Sequence, residues 1–171
     1  MRPEDPLVYP GHYPPRDRWQ QFFLGVRWLG PDLSFFEGLR LQQSARTALV
    51  MEAWTDAAHR EMASAVGRIL HECLRWPTPY FVPSDRWLVM CGGPAFDMID
   101  VGDLTAAISA IELHLCSKLQ QDFWSSVREK AFGEIVEDPS SAKSGGLTKR
   151  FQRISTRRSK FWYPVRAARA R

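Results

Sequence analysis

The chain has 171 residues, of which 44% are apolar and 25% charged, and its formal net charge is +4. These proportions exclude a disordered or collagen-like chain and leave enough apolar bulk for one packed core. Three cysteines, Cys73, Cys91 and Cys116, make no paired spacing and speak against a disulfide framework, while no apolar run approaches the ~20 residues that span a bilayer. A soluble, reduced, cytoplasmic protein is the expectation.

Pro3, Pro6, Pro10, Pro14 and Pro15 make residues 1–16 an extended, poorly helical lead-in, without the apolar core of a secretory signal. A helical globular body over 17–138 follows. Its first element is WQQFFLGVRWLG (19–30), where Trp19, Phe22, Phe23, Val26 and Leu29 fall at helical spacing. Gly30-Pro31 stops it, and Asp32 caps LSFFEGLRLQ. A hairpin over 19–42 is the rival reading, because the same aromatic and β-branched residues also suit strands.

The strongest periodicity lies in 44–76, where Met51, Trp54, Ala58, Met62, Ala65, Ile69 and Cys73 recur at steps of three and four. One helix of that length is unusual, so a break near Thr55-Asp56 is expected, with Ser44 or Thr55 as a cap and Pro77 as the end. The proline-punctuated 77–85 links to DRWLVMCGG (85–93), which reads as a short buried strand with Trp87, Val89 and Cys91 on one face. Asp100 or Asp103 then caps a helix with the stripe Leu104, Ala107, Ile108, Ile111, Leu115 and Leu119. Asp122 caps a last one, in which Phe123, Val127, Ala131 and Ile135 line up. The fold class expected is mainly α with a minor β element: one compact helical domain with a single short strand or hairpin, and a basic flexible tail over 139–171.

Few residues suggest chemistry. The stretch VMCGGP (89–94) resembles the nucleophile loop of chymotrypsin-like cysteine proteases. In that family the glycines let backbone N–H groups converge on an oxyanion. The resemblance implies Cys91 as nucleophile with His59 or His71 as base, but it covers only Cys91, Gly92 and Gly93; Val89 stands where the family has glycine. A buried structural thiol is the stronger reading. His71-Glu72 lacks the second histidine of a zinc helix, since position 75 is Arg, and His12, His59 and His114 have no ligand partners at metal spacing. Asp97, Asp100 and Asp103 could be imagined as a cation site, but helix capping explains Asp100 or Asp103 better. The expectation is therefore no catalytic residue, no metal and no cofactor.

The span DVGDLTAAISAIELHLCSKLQQDF (100–123) resembles the central helix of acyl carrier proteins and the loop after it, with Ile111, Glu112, Leu115, Leu119 and Asp122 in step. That likeness implies a carrier-like helical fold without phosphopantetheine, because Val101 occupies the place of the serine that carries it. The wider arrangement of WPTPYFVPSD, CGGPAFDMID and FGEIV is similar to small bacterial proteins, a likeness that brings no function with it.

Charge divides the chain. Residues 139–171 hold ten Lys or Arg and no acid, which leaves 13 basic against 19 acidic residues in the rest, a balance of −6. In the tail, Lys149, Arg150, Phe151, Arg153, Arg157, Arg158, Lys160, Phe161, Trp162 and Arg166 alternate cations with rings, the composition of a nucleic-acid strand binder. An anionic membrane surface would suit the same residues, as would a solvated extension with no partner. The functional expectation is a non-catalytic protein-binding module of interaction or adaptor type with no partner identified. The alternative is an accessory nucleic-acid binder acting through the tail.

Overall fold

The computed structural model describes residues 2–15, 17–24, 26, 30–94, 101–115 and 121–137. The ten tail positions singled out above lie outside these, as do Cys116, Asp97 and Asp100. Within them the chain is mainly helical: α1 (Arg18–Phe22), α2 (Phe35–Ser44), a 3-10 turn (Ala48–Ala53), α3 (Ala57–Leu74), α4 (Trp87–Gly92), α5 (Val101–His114), α6 (Gln121–Ser126) and α7 (Phe132–Glu137).

The long periodic stretch does break where expected. Ser44 ends α2, and α3 is capped by Asp56, not by Ser44 or Thr55; the Asp56 carboxylate accepts from the backbone N–H of His59 at 2.9 Å. Leu74 closes α3, with Arg75 left-handed (φ 59°) two residues before Pro77. The buried face of α3 is Met62, Ala63, Ala65, Val66, Gly67, Leu70 and Leu74; Met62 and Ala65 of the expected stripe belong to it, while Ala58, Ile69 and Cys73 sit at its margin. α3 packs against α4, α5 and α7. Gly67 is required here: a Cβ would stand 2.1 Å from the carbonyl oxygen of Pro79, where the 75–82 segment lies across the helix.

Two expected elements take other forms. No hairpin forms among the described residues of 19–42, and α1 ends at Phe22, with Trp19 61% and Phe22 79% exposed; that aromatic stripe does not seat in the core. Residues 87–92 form the helix α4 and not a strand. A short run apolar on every side satisfies either period, and here the N–H groups of Val89 and Met90 both turn back to the Arg86 carbonyl. All that remains of a β element among the described residues is an isolated antiparallel bridge between Arg86 and Ala131.

The expected last helix from Asp122 is two helices. Tertiary hydrogen bonds interrupt it: the N–H groups of Phe132 and Gly133 donate to the carbonyls of Asp85 (2.8 Å) and Pro83 (2.7 Å), and Trp87 N–H donates to Lys130 O at 3.1 Å. Glu134 caps the restart by accepting from Ala131 N–H at 2.9 Å. A local helix would need those same donors and acceptors, so the docked 82–87 segment wins.

Trp54 and Trp76 are fully enclosed in the core, and each indole N–H finds a carbonyl, Phe81 O at 2.9 Å and Met90 O at 2.8 Å. The proline-rich lead-in is tied to this core. Leu7 is completely buried; its N–H donates to Asp85 Oδ1 (2.8 Å) and its carbonyl accepts from Arg86 N–H (3.1 Å). Arg46, between α2 and the 3-10 turn, forms a bidentate ion pair with Asp85 at 2.6 and 2.9 Å, both side chains with no solvent exposure. Its other N–H groups donate to the carbonyls of Pro3, Asp5 and Tyr80. All five guanidinium donors are thereby used. Gln42 adds a 2.6 Å bond to Asp5 O. Side chains from α2 and the loop after it thus fasten residues 2–7 as a strap.

Candidate functional site: an aromatic pocket under the N-terminal strap

Beyond Leu7 the strap runs along the body and closes one side of a cavity of about 450 Å³. Tyr9, Tyr13 and Pro14 form the strap's wall; Trp87, Leu88, Cys91 and Gly92 of α4, Leu104 and Ile108 of α5, and Trp124 with Arg128 around α6 form the rest. The prolines bar a helix from the strap, but it is not extended throughout as expected: the Tyr13 N–H donates to the Pro10 carbonyl at 2.8 Å, and this turn brings Tyr9 and Tyr13 to the same wall.

The tyrosines are fixed by ring packing. Tyr9 meets Tyr13 edge-on at 4.8 Å between centroids and Phe36 at 5.8 Å, and Tyr13 meets Phe36 at 5.6 Å. Across the pocket Trp87 and Trp124 are nearly parallel, 16° apart at 5.8 Å. The strap crosses α4 closely at Gly92: an added Cβ would lie 2.1 Å from Tyr9 Oη, so the tyrosine tip would have to shift. Three residues with polar tips belong to this otherwise apolar lining, the half-buried Tyr9 and Tyr13 and the exposed Arg128. The two hydroxyls and the guanidinium have no hydrogen-bond or ion-pair partner among the described residues.

Electrostatics follow from desolvation. Burial, reinforced by the neighbouring Tyr13 and Cys91, holds the Tyr9 phenol well above its ordinary range, and burial raises Tyr13 as well. Cys91 keeps a half-buried surface at the pocket wall, yet the packed atoms around its sulfur push the thiol up to about 12. A nucleophilic cysteine needs the opposite shift. The histidines named as possible bases are engaged elsewhere: His59 lies 3.9 Å from Asp56, and His71 bonds through Nδ1 to the Trp76 carbonyl. Cys91 also sits inside a helix, with Gly93 (φ 74°) as the residue that ends it. Among the described residues no cluster of three His, Cys, Asp or Glu is placed to hold a metal ion, and no helix is long and apolar enough to cross a membrane.

A wider groove of about 920 Å³ adjoins the pocket: it shares Tyr9, Tyr13, Pro14 and Leu88 in its lining and extends past Gly11, Gln21, Arg86 and Glu129. Of the pocket's lining, sequence reasoning had considered Cys91, Gly92 and the apolar stripe residues, but not Tyr9, Tyr13 or Arg128 as site residues. The one available signal was YPGHYPP (9–15), two tyrosines in a stretch unable to form a helix. Protein-family models, curated proteins and solved structures give no match to this chain.

Proposed function

We propose that this chain is a non-catalytic protein-binding module and that a partner polypeptide inserts an apolar side chain into the pocket under the strap. The observation that carries this reading is the pocket itself, a ligand-sized cavity lined by stacked tryptophans and by tyrosines, with a wider groove adjoining it. The exposed Trp19 and Phe22 on α1, whose Gln21 reaches the groove, add apolar surface of the kind interfaces use. The raised Cys91 thiol and the engaged His59 and His71 favour binding over hydrolysis.

The test is selection of peptides from a random displayed library on the full chain. Selected peptides should be rich in aromatic or large aliphatic anchors and should lose binding to Leu88→Arg, which places a charge in the pocket mouth without touching a fully buried position. Peptides that bind Leu88→Arg as well as the unaltered chain would remove the pocket from the interaction.

A second reading rests on the ten basic residues of 139–171 and their interleaved Phe151, Phe161 and Trp162: single-stranded nucleic acid held by phosphate contacts and base stacking. Replacing Arg150, Arg153, Arg157 and Arg158 by Ser should weaken binding to oligonucleotides and flatten its salt dependence. Unchanged affinity and slope would eliminate it.

A further inference from the structure

We infer that the group captured by the pocket is an apolar anchor residue with a carboxylate next to it, so that the partner segment is acidic at its anchor. This rests on the pocket being the binding site and specifies what enters it. The walls supplied by Trp87, Trp124, Leu104, Ile108 and Leu88 can desolvate a ring or a branched aliphatic chain. An apolar guest alone, however, would leave Arg128 and the Tyr9 and Tyr13 hydroxyls beside it with no acceptor among the described residues. Hydrogen-bonding groups brought next to a dry ligand without partners cost binding energy. A carboxylate answers all three: it takes a forked pair from a guanidinium and accepts from phenols.

The charge layout places that carboxylate. Arg128 lines the inner pocket with no acid in that lining, whereas the outer groove carries both Arg86 and Glu129, whose opposite charges offset each other. The acid therefore belongs at the anchor and not further along. Residues 1–138 carry a net −6 and repel an acidic partner at long range, but salt screens that field beyond roughly 8 Å, and the contact with Arg128 decides the outcome. A polypeptide fits better than a free small acid because a groove adjoins the cavity, the two sharing four lining residues, and offers the flanking chain a surface next to its anchor.

The experiment measures affinity, by tryptophan fluorescence and calorimetry, for short acetylated and amidated Gly/Ser peptides with Asp-Trp, Asn-Trp or Asp-Ala at their centre. Phenylacetate is the free-acid probe. Asp-Trp should bind about ten-fold more tightly than Asn-Trp, as one partly desolvated ion pair allows, and Asp-Ala should lose most of the affinity. Arg128→Gln should remove the Asp-Trp advantage and bring the two peptides to the same affinity; position 128 is exposed, so the fold tolerates the change. Equal binding of Asp-Trp and Asn-Trp overturns the inference, as does an advantage that survives Arg128→Gln. If those two peptides bind equally but both are lost in Leu88→Arg, the protein-binding pocket stands and only the acid is refuted. Phenylacetate binding without any peptide binding refutes the polypeptide guest, and no binding by any probe overturns both the guest and the pocket.

Discussion

Asp85 offers the sharpest test of how the strap is held. Its carboxylate accepts four hydrogen bonds in a fully buried setting: from Arg46 twice, at 2.6 and 2.9 Å, and from the N–H groups of Leu7 and Val82, each at 2.8 Å. Asp85→Asn keeps the shape but replaces one oxygen by an NH₂ group, which must then face a donor wherever it points. It also leaves the Arg46 charge uncompensated. Breaking a buried pair from one side costs about 3–5 kcal/mol, against a total stability of about 5–15 kcal/mol for a domain. At about 2–4 °C per kcal/mol for a chain of this size, the melting temperature should fall by roughly 6–20 °C. Urea unfolding followed by tryptophan emission measures the free energy, and limited proteolysis should cut within residues 2–15 sooner than in the unaltered protein. Because Tyr9 and Tyr13 ride on the same strap, peptide affinity should fall together with stability. A variant within about 1 kcal/mol of the original, with its strap equally protected, would show that the Arg46–Asp85 pair is not what fastens the N-terminal segment.

Three further outcomes are expected. Cys91 should react slowly with iodoacetamide in the folded protein and quickly in denaturant, read by mass spectrometry of its own peptide. A thiol moved from 9.0 to about 12 has about a thousand-fold less thiolate at any given pH below that range, so rapid labelling of the folded chain would contradict the buried thiol. Gly67→Ala should destabilise by about 1–3 kcal/mol in urea unfolding, as overpacking does, because the new methyl meets the backbone oxygen of Pro79 and not a movable side-chain tip; a neutral result would place the 75–82 segment away from α3. The carboxyl of Asp56 is held below its ordinary 3.8 by the His59 N–H, so its cap stabilises above that value and the contribution fades as pH falls through the depressed folded value. Asp56→Ala should accordingly lower the melting temperature at pH 7 and lose its effect under acid conditions; a difference that persists undiminished at low pH would deny the cap.

Much of the helical layout could be read from local signals. The break before Ala57 follows from the Thr55-Asp56 pair and the end of α3 from Pro77; α2 starts at Phe35 with Ser34, not the expected Asp32, at its N-cap, the Asp32 carboxylate accepting instead from the N–H and hydroxyl of Ser34. Such features depend on neighbours within one turn. The errors share a different origin. The 87–92 run is apolar on every side, so its period carries no information, and the carbonyl of Arg86 decides it. The helix expected from Asp122 is interrupted by hydrogen bonds to Pro83, Asp85 and Trp87, partners some forty residues earlier in the chain. The aromatic stripe of 19–30 has helical spacing, yet Trp19 and Phe22 stay exposed because periodicity gives an amphipathic face and not what covers it.

The site shows the same limit more strongly. Composition and punctuation determined that residues 1–16 would be non-helical, that the body would be helical, and that the cationic residues would concentrate in the last thirty-three positions. They could not say that the lead-in would be drawn across α4, because what holds it are hydrogen bonds between its backbone and the side chains of Gln42, Arg46 and Asp85, which lie 37–78 residues away along the chain and meet only in the folded core. Tyr9, Tyr13, Trp124 and Arg128 become one pocket only after that step. Local spacing sets which backbone each segment prefers; desolvation by distant neighbours sets which side chains end up facing one another.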